Sequence, residues 1–162
     1  MSTLAYAEFT NRREEAKPKT STSTAPPGVK TYVGALAALV PAEVLTLHGL
    51  ILSVTTKSDG NATKITAPET LAWAFLGLLV VSAGLYIAPR LMAQKWDTLD
   101  WFRMAIPPLA LVGWTMLQRA TAFDAVFPGM ADAARTVTAV FLAVVLGAAA
   151  TTLAFKADQR QP

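Results

Sequence analysis

Apolar residues in this chain are gathered into long runs instead of recurring at the spacing of an amphipathic helix. Residues 70–89 and 136–155 form two stretches of twenty residues without a charged side chain. A helix of about 20 apolar residues crosses the roughly 30 Å hydrocarbon core of a bilayer. A chain of 162 residues is too short to surround two such helices with protein on every side. The pattern therefore predicts an all-α integral membrane protein.

Two weaker segments complete the predicted architecture. One holds the stretch LVPAEVLTLHGLIL, and the other has an uncharged part, residues 104–118, that rises only about 22 Å as a helix. Arg103 and Arg119 flank that shorter part and can snorkel toward the interfaces. The second span begins with TAPE (66–69), which fits a capping box. Because the connections are short, we expect an antiparallel four-helix transmembrane domain over residues 32–156, with spans at about 32–56, 68–90, 99–123 and 131–155.

The ends of the chain have a different composition. Residues 1–31 are polar and predict a flexible N-terminal tail. Within it, residues 4–16 have the pattern of a short helix, whereas 17–28 (KPKTSTSTAPPG) predicts a disordered linker. Residues 157–162 are expected to form a C-terminal tail. A short helix on a flexible tether suits docking of a cytoplasmic protein, and a basic tail resting on anionic lipid is the alternative.

Basic residues predict the orientation, because cytoplasmic segments carry an excess of Lys and Arg. With both termini inside, ten basic residues fall on the cytoplasmic side and four on the other. The charges expected at helix ends are Arg90, Arg103, Arg119 and Arg135. The asymmetry predicts both termini in the cytoplasm, and we expect the membrane to be a bacterial inner (plasma) membrane.

Small residues recur at helical spacing on three of the predicted spans. Lipid gives helices no hydrophobic reason to associate, so close packing relies on residues that let backbones approach. The candidate packing stripes include Ala42, Gly49, Gly77, Gly84 and Gly147. They predict tight helix packing and a homo-oligomer, although an alanine-rich composition would also scatter such residues.

Three residues of the first span are unusual at membrane depth. Pro41 lacks an amide proton and should leave the Ala37 carbonyl free at a kink. At about 100° per residue, Glu43 and His48 are about 140° apart around the helix and do not form an acid–base pair. An ionisable residue near mid-membrane is a functional candidate because it costs several kcal/mol without a partner. Glu43 could be a hydrogen-bonded packing residue, an ion-pair partner of an Arg, or a participant in proton or cation passage.

The composition excludes several kinds of chemistry. The chain has no cysteine and one histidine, which are too few ligands for a metal site built on those residues. The motifs of phosphate binding, dinucleotide binding and common hydrolases are absent. We therefore expect that the protein is not an enzyme and binds no cofactor. We also expect that it lies in the lipid bilayer and does not bind nucleic acid.

Three functions remain open at the level of the sequence. The first is a membrane anchor or assembly subunit that self-associates and docks a cytoplasmic partner through residues 4–16. The second is an oligomeric pore or membrane-perturbing effector. The third is a small proton- or cation-coupled transporter centred on Glu43.

Overall fold

A computed structural model of the chain describes residues 29–59, 62–94 and 96–158. This part is mostly helical and contains one short hairpin. The predicted helix 4–16 and linker 17–28 lie outside the described residues, as do the last four positions of the chain. The elements are α1 (Val29–Leu39), α2 (Ala42–Thr55), β1 (Thr56–Asp59), β2 (Ala62–Ile65), α3 (Pro68–Met92), α4 (Asp100–Met116), α5 (Ala122–Val126) and α6 (Asp132–Asp158).

Two helices, α3 and α6, are long and apolar enough to cross a membrane. Their most apolar windows have mean hydropathies of 2.1 and 2.2, and only 22% and 17% of those residues are buried within the chain. Large apolar side chains such as Trp73, Val80 and Phe141 are exposed. Apolar surface on this scale fits a bilayer rather than water. The membrane character predicted from the uncharged runs is therefore supported by two helices.

The first predicted span is broken in the structure. Helices α1 and α2 pass the same length and hydropathy test together, but they are bent by 113° at Val40 and Pro41. Pro41 has an extended conformation (φ −56°, ψ 135°), and a residue before proline is disfavoured in a helix. The first predicted span, 32–56, is therefore made of two helices joined at a sharp bend, and its crossing of the membrane as one span remains a prediction. The Ala37 carbonyl is also not free, because it accepts a hydrogen bond from the Val40 N–H at 3.3 Å.

The connection between α2 and α3 is an antiparallel β-hairpin. Its register pairs Thr56 with Ile65 and Asp59 with Ala62. At its base, both the N–H and the hydroxyl of Thr66 donate to the Thr55 carbonyl, at 2.9 and 3.0 Å. The predicted capping box at 66–69 is therefore wrong. Thr66 closes the hairpin, and α3 begins with Pro68 in its first turn without a side-chain cap.

The most enclosed helix is α4, which contacts α1, α3 and α6. Its Ala110, Leu111 and Gly113 are buried, and Gly113 faces the side chains of Leu36 and Leu142. The helix ends at Met116, and the short α5 follows after an irregular turn. The third predicted span, about 99–123, thus corresponds to a 17-residue helix and part of a second one.

Candidate functional site

The break between α1 and α2 leaves polar groups on an exposed face. Glu43 lies in the first turn of α2, and its exposed side chain helps to line a shallow groove with Ala42, Thr46, Leu47 and Leu50. No ion pair or hydrogen bond reaches its carboxylate from the described residues. The expectation that protein surrounds Glu43 is therefore not met within one chain. Burial of Glu43 at a seam between subunits remains a prediction.

The backbone at this break is also incompletely paired. The Pro41 carbonyl accepts from the N–H groups of Val44 and Leu45, at 3.0 and 3.3 Å. The N–H groups of Ala42 and Glu43 precede these bonds and have no intrahelical acceptor, and no side chain caps α2. The exposed end of α2 thus combines free backbone donors with a carboxylate. The positive end of the helix dipole favours the negative charge of Glu43.

His48 lies on the opposite side of α2 and is fully buried. Its ring contacts Trp114 edge to face, with the ring centroids 5.3 Å apart. Neither ring nitrogen has a hydrogen-bond partner in the part of the chain that the structure describes. Because Glu43 is exposed and His48 is buried, the two cannot exchange a proton directly. His48 therefore joins α2 to α4 through a ring contact, and the Glu43 carboxylate does not lie beside it.

At one end of α4, Asp100 forms the centre of a buried polar cluster. Its Oδ1 accepts hydrogen bonds from the Tyr86 hydroxyl and from Arg90, both at 2.7 Å, and from Arg103 at 3.1 Å. Its Oδ2 accepts from the backbone N–H of Asp97 at 2.8 Å. The carboxylate is fully buried, and its charge is compensated by two guanidinium groups.

The same cluster joins three helices. Arg90 belongs to the last turns of α3, whereas Asp100 and Arg103 belong to the first turn of α4. Arg103 also donates to the Leu153 carbonyl near the end of α6, at 2.9 Å. Arg90 and Arg103 are two of the charges that the sequence places at helix ends. The structure assigns them to an ion-pair network between helices.

Arg135 makes the corresponding connection at the other end of α4. Its buried guanidinium pairs with Asp124 at 2.6 Å and donates to the Gln118 carbonyl at 2.8 Å. It also lies over the Phe123 ring, 5.4 Å from the centroid. The neighbouring pair of Arg119 and Asp132 is exposed on both sides, so it contributes little to stability.

The candidate packing glycines do not pack within the chain. A Cβ atom built at Gly49, Gly77, Gly84 or Gly147 would meet nothing within 4 Å, and Ala42 is exposed. The close approach occurs at Gly113, where a Cβ would lie 3.0 Å from Leu142 and 3.1 Å from Leu36. These four glycines are therefore available to lipid or to another chain.

The sequence reasoning missed three important residues. Asp100 pairs with the half-buried Arg90 and Arg103, and Asp124 pairs with the buried Arg135. Gly113 allows α1, α4 and α6 to approach. A signal for Asp100 was present, because Arg90, Asp100 and Arg103 flank a single short connection. In the described residues, no group of three or more His, Cys, Asp or Glu side chains could hold a metal ion.

Comparison of the chain with protein-family models, with curated proteins and with solved structures finds no match in any of the three. The functional argument therefore depends on the chemistry of the α1–α2 break.

Proposed function

We propose that this chain is a non-enzymatic membrane assembly subunit, which self-associates through the exposed face that carries Glu43. The observation that carries the proposal is an unpartnered carboxylate on an apolar helix of a membrane protein. A carboxylate that faces lipid costs several kcal/mol, and a contact with another protein chain removes that cost.

The backbone at the break supports the same proposal independently. Interrupted helices occur at membrane depth only where the break is covered by protein or lines a water-filled cavity. Ala42 and Glu43 are exposed in the single chain, and their N–H groups have no intrahelical acceptor. A neighbouring subunit would cover both the carboxylate and these donors.

We further propose that α4 crosses the membrane between α3 and α6. Arg90 near the end of α3 and Leu153 near the end of α6 both meet the first turn of α4. If α3 and α6 both end on the same side of the membrane, the chain between them must cross back to the other side. The 17 residues of α4 rise about 26 Å, which is close to the distance needed. With α1 and α2 as one broken span, this gives four crossings in an antiparallel bundle. The basic asymmetry then favours cytoplasmic termini in a bacterial inner membrane.

The transporter hypothesis is the second candidate, because a specific feature favours it. Half-helices that meet near mid-membrane, with a carboxylate at the break, are typical of ion sites in secondary transporters. Against it, the residues that line the groove with Glu43 include no second acid. The pore hypothesis has no comparable support. Docking of a cytoplasmic partner by residues 4–16 remains part of the assembly proposal.

The test compares Glu43→Gln and Glu43→Leu with the parent protein. Glutamine keeps the shape and a hydrogen bond, so we expect it to retain the oligomer. Leucine leaves the partner's polar group unsatisfied and should weaken association by about 1–3 kcal/mol. The measurement is the oligomer mass in detergent, together with ion flux from reconstituted liposomes.

A matched control is Glu69→Leu, because Glu69 is an exposed carboxylate in the first turn of α3. This control should keep the oligomer. A monomeric parent protein would refute the proposal. Loss of ion flux in a folded, oligomeric Glu43→Gln variant would favour the transporter.

A further inference from the structure

The exposed side of α1 forms a second open face next to Glu43. Lys30, Thr31, Gly34, Ala35 and Ala38 are all exposed, and they recur at the three- and four-residue spacing of one helix face. A Cβ built at Gly34 would meet nothing within 4 Å. We call these five residues the α1 face. The side chains at its centre are small, and Lys30 at its N-terminal end is positively charged.

The charges next to this face are complementary. Lys30 has no ion-pair or hydrogen-bond partner in the described part of the chain, and neither does Glu43. Along α1, Lys30 is about 13 Å from the break that Glu43 follows. One unpaired cation and one unpaired anion thus lie at opposite ends of the same open segment. A two-fold axis between two copies places the Lys30 end of one copy opposite the Glu43 end of the other.

The bend makes a two-fold contact possible in a membrane. Copies of a membrane protein share one orientation, so their two-fold axis runs along the membrane normal. Helices that cross the bilayer can only meet their own copies in parallel about such an axis. The 113° bend instead lays α1 across the direction of α2. If α2 crosses the bilayer, α1 therefore lies close to the membrane plane. A helix in that plane can meet its copy antiparallel.

We infer that the partner at this seam is a second copy of the chain, with the two α1 faces packed antiparallel about Gly34 and Ala35. Lys30 of each copy then pairs with Glu43 of the other. The small residues let the helices approach to about 8–10 Å or less. This inference rests on the proposed self-association and adds the partner and its contacts.

Cysteine cross-linking tests the geometry without background, because the chain has no cysteine. Ala35→Cys lies at the predicted axis and should form a disulfide-linked dimer in membranes oxidised with copper phenanthroline. Phe141→Cys is the control, since Phe141 is 69% exposed and belongs to α6, outside the α1 face. We expect cross-linking at Ala35→Cys at least about tenfold faster, because the two thiols are held together.

Charge exchange tests the pairing itself. Lys30→Glu and Glu43→Lys should each weaken the homodimer by about tenfold or more, since like charges then face each other. A mixture of the two variants should form heterodimers, because both contacts then join opposite charges. One chain with both substitutions should also recover the dimer.

The outcomes separate the two proposals. A dimer whose mass is unaffected by either charge reversal, or that cross-links equally at both cysteine positions, would overturn this pairing and leave self-association intact. A parent protein that is monomeric in the membrane, together with an Ala35→Cys variant that does not cross-link, would overturn both. Heterodimers from the mixed variants, together with selective cross-linking at Ala35→Cys, would support the pairing.

Discussion

At the scale of single residues, charged side chains in this protein differ most in how fully their charge is compensated. Asp100 is fully buried but accepts four hydrogen bonds, two of them from guanidinium groups. Glu43 is exposed and has no partner among the described residues. The first arrangement stabilises one chain, whereas the second lies at the proposed contact with another chain.

Asp100→Asn should destabilise the fold strongly. The substitution removes the negative charge and leaves Arg90 and Arg103 facing each other without compensation. The loss should stay below the roughly 3–5 kcal/mol of a fully buried pair, because the side chains of Arg90 and Arg103 remain 32% and 16% exposed. Thermal unfolding in detergent measures the loss.

Arg119→Gln is the control, because its ion pair with Asp132 is exposed and should change stability by less than about 1 kcal/mol. Equal losses in the two variants would show that the Asp100 cluster adds no more than a surface pair.

Sequence alone identified Glu43, His48 and Pro41 as unusual, because polar residues and proline are conspicuous in an apolar run. It could not assign Asp100 its role. Counting basic residues gives the side of the membrane but not their partners. The partners depend on how α3, α4 and α6 come together.

At the scale of elements, the two long helices were predictable and the two weaker segments were not. The predicted spans 68–90 and 131–155 match α3 and α6 within a few residues at each end, since twenty uncharged residues leave little alternative. The break at Pro41 depends on whether proline kinks or ends the helix, and packing decides that. The hairpin was missed because its strands have only four residues each.

Helix packing should be sensitive to substitution at Gly113 and insensitive at Gly77. Gly113→Leu forces a side chain into space held by Leu36 and Leu142, where even a Cβ would be 3.0–3.1 Å away. Overpacking of this kind costs about 1–3 kcal/mol.

Gly77→Leu meets open space and replaces glycine by a better helix former. Its thermal unfolding temperature should stay the same or rise, whereas that of Gly113→Leu should fall. A similar fall in both variants would place the tight contact elsewhere.

At the scale of the whole molecule, ion-pair clusters fix the direction of α4. The Asp100 cluster joins the ends of α3 and α6 to the start of α4, and Arg135 joins the start of α6 to the chain after α4. In the proposed topology, α3 and α6 therefore point the same way. Hydropathy alone could not supply this, because α4 is short and carries charges in its first turn.

Topology follows from this direction and from the basic residues. Reporters active only in the cytoplasm should work when fused at the C-terminus and when inserted between α3 and α4, next to Arg90 and Arg103. They should be inactive in the hairpin between α2 and α3, and between α5 and α6. The physical reason is that ten of the fourteen basic residues then lie on the cytoplasmic side.

A fusion at the N-terminus decides how the broken first segment sits. If α1 and α2 cross as one span, the N-terminus lies in the cytoplasm, and this is the outcome that we expect. An N-terminus on the opposite side, with the C-terminus inside, would make α1 and α2 a re-entrant pair with three crossings in the remaining chain. A C-terminus and an α3–α4 connection on opposite sides of the membrane would contradict the return of the chain along α4, and with it the parallel arrangement of α3 and α6.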